Sequence, residues 1–262
     1  MALKVCFANQ KGGVGKTTSA HSFCDYFARK GKRVLVIDLD SQWNLTAMYG
    51  VLSEDYEKDG NMDGQTIYQV FKGKPISDVV LRDVRPNIDL VVGSILMGGA
   101  EGEFQGADRF HKLKRAIKAV DGSYDLIVVD CPPTVGILTF NAFAACDGAV
   151  IAYKADALTK AGILQLKSAV DDVRDYFSAD FKIFGVLVTM FDRVTKVSER
   201  CGEQAEAMAA ILGTKVFKTK IRASAKVREI ADFGESIFSF APNSPAAKDY
   251  MAFCEEFEKE YM

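Results

Sequence analysis

The chain has 262 residues, 48% of them hydrophobic and 26% charged, which is typical of a soluble globular protein with a sizeable core. Its formal net charge is −2, so any attraction to nucleic acid must come from a local patch of positive charge. No apolar stretch reaches the roughly 18 residues of a membrane span, and the first strand begins almost at once, so we expect no signal peptide, no membrane contact and a cytoplasmic location.

The first predicted elements are a strand, a glycine-rich turn and a helix. An apolar run at residues 5–8 precedes the turn, and a helical pattern over 19–30 follows it. Glycines let consecutive backbone N–H groups point inward, and the helix adds its positive end, so polyphosphate charge is bound there. Lys16 is expected to reach the β- and γ-phosphates of a nucleotide, and Thr17 to hold Mg²⁺. The turn comprises Lys11, Gly12, Gly13, Val14, Gly15, Lys16, Thr17 and Thr18.

The next predicted strand, residues 33–38, ends in two carboxylates, Asp38 and Asp40. Ligands of open α/β sheets bind at the carboxyl ends of the strands, so both carboxylates are expected near the phosphates. On a regular strand they would share one face. If the strand ends there, they separate, one toward Mg²⁺ and the other toward the attacking water. The sequence leaves both arrangements open.

Residues 53–80 are the least regular part of the sequence, and the acidic, glycine-containing stretch 53–65 predicts a surface excursion. The elements predicted from there to the next motif are short helices at 66–71 and 75–81, a strand at 88–93, a glycine-rich loop at 98–106 and a surface helix at 110–120.

A second buried strand that closes on an aspartate is predicted at residues 126–130. Four aliphatic residues precede Asp130, and this arrangement positions a carboxylate beside Mg²⁺ and its waters. The remaining predicted elements are strands at 149–152 and 183–189, a helix at about 161–176 and an amphipathic, acidic helix at 245–262.

The alternation of apolar runs with helix-period segments predicts an α/β fold: a single, doubly wound, mostly parallel sheet with helices on both faces. No low-complexity linker interrupts it. We therefore expect one domain over residues 1–262, with a variable excursion at about 53–80.

Residues 215–228 carry six basic side chains and no acidic one. In a chain of net charge −2 such a run makes a local positive field, whose functional interpretation is contact with DNA phosphates irrespective of sequence. A solvated surface is the alternative. The six are Lys215, Lys218, Lys220, Arg222, Lys226 and Arg228.

The form of the glycine-rich turn, K-G-G-V-G-K-T-T at residues 11–18, resembles the deviant Walker A motif of the ParA/MinD class of P-loop ATPases. Gln10 stands where the plain Walker pattern has glycine, and Lys11 is the additional lysine of the deviant form. Residues 124–133 resemble the Walker B region of ParA proteins, and residues 189–196 their segment near the adenine and the DNA surface. The resemblance extends over essentially the whole chain and is closest to the short ParA form often called Soj-like.

This resemblance implies an ATPase for DNA partitioning, of plasmid or chromosome, that uses ATP, ADP and Mg²⁺. In that family the residue matching Lys11 reaches the phosphates of the partner subunit in an ATP-sandwich homodimer, and the one matching Asp40 is needed for hydrolysis. The dimer binds DNA non-specifically on the nucleoid, and a ParB-like protein stimulates hydrolysis. The further implied roles are catalysis by Lys16, nucleotide contacts by Met190 and Asp192, metal ligation by Thr17, Asp38 and Asp130, and DNA contacts by Arg193, Lys196, Lys218, Lys220, Arg222, Lys226 and Arg228.

Three departures from the family pattern stand out. Val194 replaces a common arginine, residues 221–237 match only loosely, and Trp43 replaces a common glycine. The ring of Trp43 either reaches a dimer partner or packs on its own loop, and we favour the second interpretation.

Three other functions are weighed against partitioning. A MinD-like membrane switch needs a basic amphipathic helix at the C-terminus, whereas residues 255–261 are acidic and would be repelled by anionic lipid. An iron–sulfur reductase is disfavoured because the six cysteines have no C-x-x-C spacing and read as free thiols. A small-molecule P-loop enzyme, such as a relative of dethiobiotin synthetase, is disfavoured by Lys11 and the basic run.

Overall fold

A seven-stranded sheet organises the computed structural model, which describes residues 1–51, 64–154, 160–191 and 196–262 and, within these, all side chains but those of 196–200 and 231–232. The strand order is β3-β4-β2-β5-β1-β6-β7, and every neighbouring pair is parallel except β3 with β4. The strands are β1 (Leu3–Ala8), β2 (Val34–Asp38), β3 (Val80–Arg85), β4 (Ile88–Val91), β5 (Leu126–Asp130), β6 (Gly148–Tyr153) and β7 (Lys182–Val188).

Helices cover both faces of this sheet, as predicted for a doubly wound α/β fold. They are α1 (Lys16–Arg29), α2 (Asn44–Met48), α3 (Ile67–Phe71), α4 (Ala100–Glu103), α5 (Lys112–Lys118), α6 (Ile137–Ala145), α7 (Lys160–Tyr176), α8 (Lys196–Leu212), α9 (Ala225–Phe233), α10 (Ile237–Phe240) and α11 (Pro245–Tyr261). Short 3₁₀ turns lie at Ile76–Asp78, Ile95–Gly99 and Asp121–Ser123. In the described ranges no helix is both long and apolar enough to cross a membrane.

The central strands are apolar throughout because both of their faces are covered. In β2, Val34 and Val36 join the core formed with α1 and α11, while Leu35 and Ile37 join the core formed with α5, α6 and α7. All five residues of β2, and all five of β5, are buried. An unbroken aliphatic run is what a parallel strand between two helical layers requires.

The predictions for the strands and longer helices are confirmed, whereas two intermediate predictions are wrong. Residues 75–81, predicted as a helix, contain a 3₁₀ turn and the start of β3. That edge strand has mostly polar or half-exposed residues and lacks the apolar signal of a buried one. Residues 98–106, predicted as a loop, contain the end of a 3₁₀ turn and α4. Most of the predicted excursion at 53–65 lies outside the described residues.

The carboxyl ends of three central strands meet at one edge of the sheet. In the parallel register Asp130 lies beside Phe7 of β1 on one side and beside Asp38 of β2 on the other. The turn that follows β1 is therefore brought next to both carboxylates. This edge is where an open α/β sheet binds its ligand.

Candidate nucleotide site

The glycine-rich loop (residues 9–15) joins β1 to α1 and has the shape of a phosphate cradle. Gly13 and Gly15 have φ of 69° and 81°, in the left-handed region that glycine adopts without strain. Gly15 directly precedes α1, so the free N–H groups of the first helical turn face the same space as the loop amides. The loop concentrates backbone donors at the positive end of a helix, where anions bind.

Two uncharged side chains hold this loop against the sheet. Thr189, just after β7, donates from Oγ1 to the carbonyl of Val14 at 2.7 Å, and Asn9 donates from Nδ2 to the carbonyl of Ala152 at 2.6 Å. Asn9 Oδ1 also accepts a bond from the backbone N–H of Lys11 at 3.0 Å. Neither side chain is among the predicted site residues, and their position at a strand end is the one sequence signal that indicates them.

The two lysines of the loop have different environments. Lys16 is only 6% exposed, and its Nζ donates to the carbonyl of Lys11 at 3.3 Å, within the cradle. The Lys11 side chain is exposed at the mouth of the loop and forms no ion pair among the described residues. Lys16 is therefore positioned to act on a ligand in its own site, whereas Lys11 is available to one approaching from outside.

Thr17 and Asp130 form a pair of oxygen ligands beside the cradle. Thr17 Oγ1 donates to Asp130 Oδ2 at 2.7 Å, and Asp130 Oδ1 is buried with no hydrogen-bond partner in the described part of the chain. Burial, followed by the charge of nearby Asp38, raises the pKa of Asp130 well above its usual range. A divalent cation would satisfy the free oxygen and favour the ionised carboxylate. Hydroxyl and carboxylate oxygens are the ligands that Mg²⁺ prefers, so the predicted metal roles of these two residues fit the geometry.

Asp38 is engaged differently from its predicted role as a metal ligand. Its Oδ2 accepts bonds from both the backbone N–H and the hydroxyl of Thr46 at 2.9 Å, and its Oδ1 accepts from the backbone N–H of Asp40 at 3.1 Å. Burial raises its pKa to about 6 despite these bonds. The carboxylate therefore ties the start of α2 to the sheet, and its place in the metal shell stays a prediction.

Asp40 is placed differently from Asp38 with respect to the cavity, and the choice between the two arrangements that the sequence left open stays a prediction. It is 7% exposed, its Oδ1 accepts from the backbone N–H of Gln42 at 3.0 Å, and it lines the cavity beside the glycine-rich loop. Asp40 is the carboxylate that a ligand in this cavity would meet.

Trp43 begins the turn into α2 in a conformation that bulky residues rarely adopt, with φ of 42°. A Cβ on Gly93 would lie 3.0 Å from the Cβ of Trp43 and 3.1 Å from Asp38 Cγ. The absence of a side chain at Gly93 therefore makes room for both. The interpretation that the ring of Trp43 packs on its own loop stays a prediction.

Two adjoining cavities share the loop as a common wall. The first, of about 530 Å³, is lined by the residues of the loop and by polar side chains that include Asp40, Gln42 and Asn44. The second, of about 370 Å³, is lined largely by apolar atoms from Ile221, Val227 and Tyr250. Gly15, Thr18 and Met190 line both. The loop residues and Lys16 in the first cavity suit a polyphosphate, and the apolar side chains of the second suit a flat base.

The structure brings most predicted nucleotide contacts to this site but leaves some undecided. Met190, with φ of 52°, is 39% exposed and lines both cavities. Asp192 and Arg193 lie outside the described residues, as does the side chain of Lys196. No single stretch of the sequence indicates the second cavity, because its walls come from five distant parts of the chain.

The basic run is not unopposed in three dimensions, contrary to the sequence prediction. The guanidinium of Arg222 makes two bonds of 2.7 Å to the carboxylate of Asp249, and Lys215 forms an ion pair with Glu260. Both acids belong to α11, which lies along the run. Lys226 pairs with Glu229 at 2.7 Å. Three of the six basic residues are thus paired with acids, two of them with acids far away in the sequence and one with an acid on its own helix.

Three basic residues of the run keep an exposed or unneutralised charge. Lys218 and Arg228 are exposed and form no ion pair within the described residues. The ammonium of Lys220 lies over the ring of Phe191, 4.8 Å from its centroid, beside the predicted adenine segment. These three, and not Arg222, are the charges that this surface presents.

Known proteins with similar sequences and folds agree with this architecture. A family model described as an AAA domain matches residues 2–183. The chromosome-partitioning ATPase Soj of Thermus thermophilus is 35% identical over 97% of this chain and 94% of that protein.

Among solved structures, a putative plasmid partition protein from Borrelia burgdorferi bound to AMPPNP is 25% identical, with a TM-score of 0.79 over 99% of both chains. Cobyrinic acid a,c-diamide synthase from Mycobacterium smegmatis, with a bound ATP analog and magnesium, is 28% identical, with a TM-score of 0.81 over 97% of this chain and 93% of that one. Both are nucleotide complexes of similar folds.

The bond between Thr46 and Asp38 can be tested by replacing Thr46 with valine, which keeps the side-chain volume but removes the hydroxyl. Asp38 loses one bond, and so does Gly93 N, which donates to the same hydroxyl at 3.0 Å. We expect the free energy of unfolding to fall by about 1–3 kcal/mol, as measured by urea titration. Thr46→Ser keeps the hydroxyl and is the control, with a loss of about 1 kcal/mol. A valine variant as stable as the wild type would show that these bonds do not hold α2.

Proposed function

The chain belongs to the Soj/ParA family of partitioning ATPases, and we propose that it hydrolyses ATP with Mg²⁺ as a switch that controls its attachment to DNA. The observation that carries this proposal is the pair of joined cavities around the glycine-rich loop, one with the loop residues, Lys16 and Asp40 in its wall and one with Ile221, Val227 and Tyr250. The proposed ligands are ATP and its product ADP. The loop amides and Lys16 bind the phosphates, and the apolar cavity takes the adenine.

The chemistry proposed for this site depends on three side chains. Thr17 and Asp130 hold Mg²⁺, which when bound neutralises charge on the phosphates of the substrate. Asp40, at the wall of the cavity beside the glycine-rich loop, orients the attacking water and accepts its hydrogen bond. Asp38 contributes indirectly, because its bonds to Thr46 fix the segment that carries Asp40.

The proposed active form is a homodimer with ATP between the subunits. Its support is the exposed position of Lys11 at the mouth of the loop, together with the family pattern, in which this lysine contacts the phosphates of the partner. A cation that crosses the interface makes the dimer depend on the γ-phosphate, since ADP offers less negative charge there. ATP thus assembles the switch and hydrolysis releases it.

The proposed binding target is DNA. The protein binds it without sequence preference and is thereby associated with the nucleoid. Lys218, Lys220 and Arg228 support this role in the structure, and Arg193 and Lys196 belong to the same expected surface. A ParB-like protein at the centromere is the proposed partner that stimulates hydrolysis, as the family resemblance implies. The replicon is either a plasmid or a chromosome.

A second candidate function is ATP-dependent chemistry on a small molecule. The specific observation in its favour is the 28% identity to cobyrinic acid a,c-diamide synthase over nearly the whole chain. Against it stands the exposed Lys11, which has no obvious task in a reaction confined to one subunit. ATP-dependent binding of DNA separates the two candidates, because a small-molecule enzyme has no reason to show it.

The role of Asp40 is tested by its replacement with alanine. The variant loses the carboxylate that orients water but keeps the loop and Lys16, so we expect ATP affinity within about threefold of wild type. Turnover at saturating ATP should fall at least about tenfold, equivalent to about 1.4 kcal/mol of barrier. Asp172→Ala, which removes an exposed carboxylate on α7, is the control. Unchanged turnover in Asp40→Ala would refute the role.

The role of Lys11 is tested by sizing the protein with ADP and with a non-hydrolysable ATP analogue. Lys11→Ala should bind both nucleotides yet remain monomeric, because the target of the lysine belongs to the other subunit. Lys118→Ala removes another exposed lysine and should dimerise normally. If Lys11→Ala still dimerises with the analogue, the lysine has no function across the interface.

The DNA surface is tested by a salt series of DNA binding with ATP. The variant Lys218→Ala/Lys220→Ala removes four charges per dimer, and if all four contact phosphate, the log–log salt slope should flatten by roughly 3 to 4 units. Lys30→Ala/Lys215→Ala removes equal charge from lysines that pair with Glu258 and Glu260, so its slope should stay within about one unit. An unaltered slope in the first variant would assign the DNA contact to another surface.

A further inference from the structure

A largely buried arginine connects three helices that border the nucleotide site. Arg85, at the end of β3, has a side chain that is 17% exposed. Its Nη1 donates to Asp25 Oδ2 at 2.7 Å and to His21 Nε2 at 2.9 Å, both on α1. Its Nη2 donates to the carbonyl of Met48 at 2.9 Å and to that of Gly234 at 2.6 Å. All four terminal N–H groups of the guanidinium are thus engaged.

The irregularity of β3 brings this side chain inward. The pairing of β3 with β4 shifts register between Leu81 and Arg85, and Asp83 between them has φ of 52°. Such a bulge changes the direction in which the following side chain points. Arg82, within the same irregular stretch, stays 54% exposed and pairs with Asp89 at 2.7 Å. Two arginines of one strand therefore have different tasks.

The carbonyls that Arg85 binds belong to two helix ends. Met48 is the last residue of α2, and Gly234 follows the last turn of α9. Carbonyls at a helix C-terminus lack an intrahelical donor and carry partial negative charge, so one cation can serve both. The two ends also touch directly: a Cβ on Gly234, which has φ of 61°, would lie 3.1 Å from the Cα of Gly50.

Each of these helices meets the nucleotide site elsewhere along its length. Helix α1 begins with Lys16, and α2 follows directly on the segment of Asp40 and Gln42 that lines the phosphate cavity. Helix α9 contributes Val227 and Arg228 to the base cavity, and Arg228 also belongs to the proposed DNA surface. One guanidinium therefore contacts the elements that would sense the phosphate and the element that would bind DNA.

We propose that Arg85 is a positioning residue that couples the segment 40–48 to α9, so that the presence of the γ-phosphate changes the exposure and orientation of α9. A shift of α2 moves the Met48 carbonyl. Because the same guanidinium also binds the Gly234 carbonyl, it transmits this shift to the end of α9. Asp25 supplies the counter-charge, and His21, whose pKa burial lowers to about 4, stays neutral and accepts a bond. This coupling rests on the proposed function only where DNA binding is its outcome.

The planar fork of arginine is essential to this arrangement. Lysine keeps the positive charge beside Asp25, but its single ammonium cannot make two bonds in each of two directions. Arg85→Lys is therefore expected to leave the fold and the ion pair and to remove the link between α2 and α9. Arg82→Lys, on the same strand and also paired with an aspartate, is the matched control.

Hydrogen–deuterium exchange, read by mass spectrometry with ADP and with a non-hydrolysable ATP analogue, measures the coupling without DNA. In wild type and Arg82→Lys we expect the amides of 226–234 to exchange differently with the two nucleotides. In Arg85→Lys that difference should disappear, while the nucleotide-dependent difference at residues 12–18 is kept. A purely structural role would instead raise exchange in α9 equally with both nucleotides. Three results would each overturn the coupling. They are such an equal rise in exchange, a nucleotide response that is kept in Arg85→Lys, and the absence of a nucleotide response in the wild type.

A second variant covers the case in which Arg85→Lys does not fold. Asp25→Asn/Arg85→Gln removes both charges together and leaves no uncompensated buried ion. It should bind ADP and show the same loss of response at 226–234, and a response that persists would overturn the coupling.

DNA affinity is measured separately on the same proteins. The ratio of affinities with the ATP analogue and with ADP should fall about 2- to 30-fold in Arg85→Lys. If wild type binds no DNA with either nucleotide while α9 still responds, the proposed function fails and the coupling stands. A ratio that stays at the wild-type value in Arg85→Lys would overturn the link from Arg85 to DNA.

Discussion

Negative charge at one edge of the sheet is the constraint on which the site depends. The parallel register sets Asp38 beside Asp130 on neighbouring strands, both fully buried. Two carboxylates cannot remain ionised there without partners, and the chain provides a different solution for each. Thr46 and the backbone N–H of Asp40 donate hydrogen bonds to Asp38. Asp130 accepts a hydrogen bond from Thr17 through one oxygen, and a cation would satisfy the other. The same edge thus contains one carboxylate whose two oxygens accept hydrogen bonds from the chain and one with an oxygen left for a further partner.

Charge is balanced over long distances in the rest of the molecule as well. Helix α11 is acidic, and its Asp249 and Glu260 pair with Arg222 and Lys215 of the basic run. Glu256 accepts bonds from the backbone N–H groups of Lys218 and Thr219 at 2.8 and 3.0 Å. A run that looks strongly positive along the chain therefore presents a smaller field in the fold. The acidic helix has a structural explanation that does not depend on lipid.

The function of this partitioning ATPase cannot be assigned from its fold alone, because partition proteins and a cobyrinic acid a,c-diamide synthase have similar folds. The family is shown by sequence identity over nearly the full length of Soj. In physical terms the informative feature is Lys11, an exposed cation at the mouth of the loop that forms no ion pair within the described residues. Arg85 adds an internal connection, since a switch needs its nucleotide site and its binding surface to move together.

The sequence by itself determined the layered fold and the phosphate loop. Strands β2 and β5 are continuous aliphatic runs that end on aspartate, and glycines precede Lys16 and Thr17, so local pattern and backbone geometry suffice to predict them. Tertiary structure decided what each charge does. The partner of Asp38 is eight residues away, that of Arg222 is 27, and Arg85 meets Gly234 across 149. Such pairings depend on how strands and helices are assembled, and a side chain's neighbours in space leave no periodic signal in the chain.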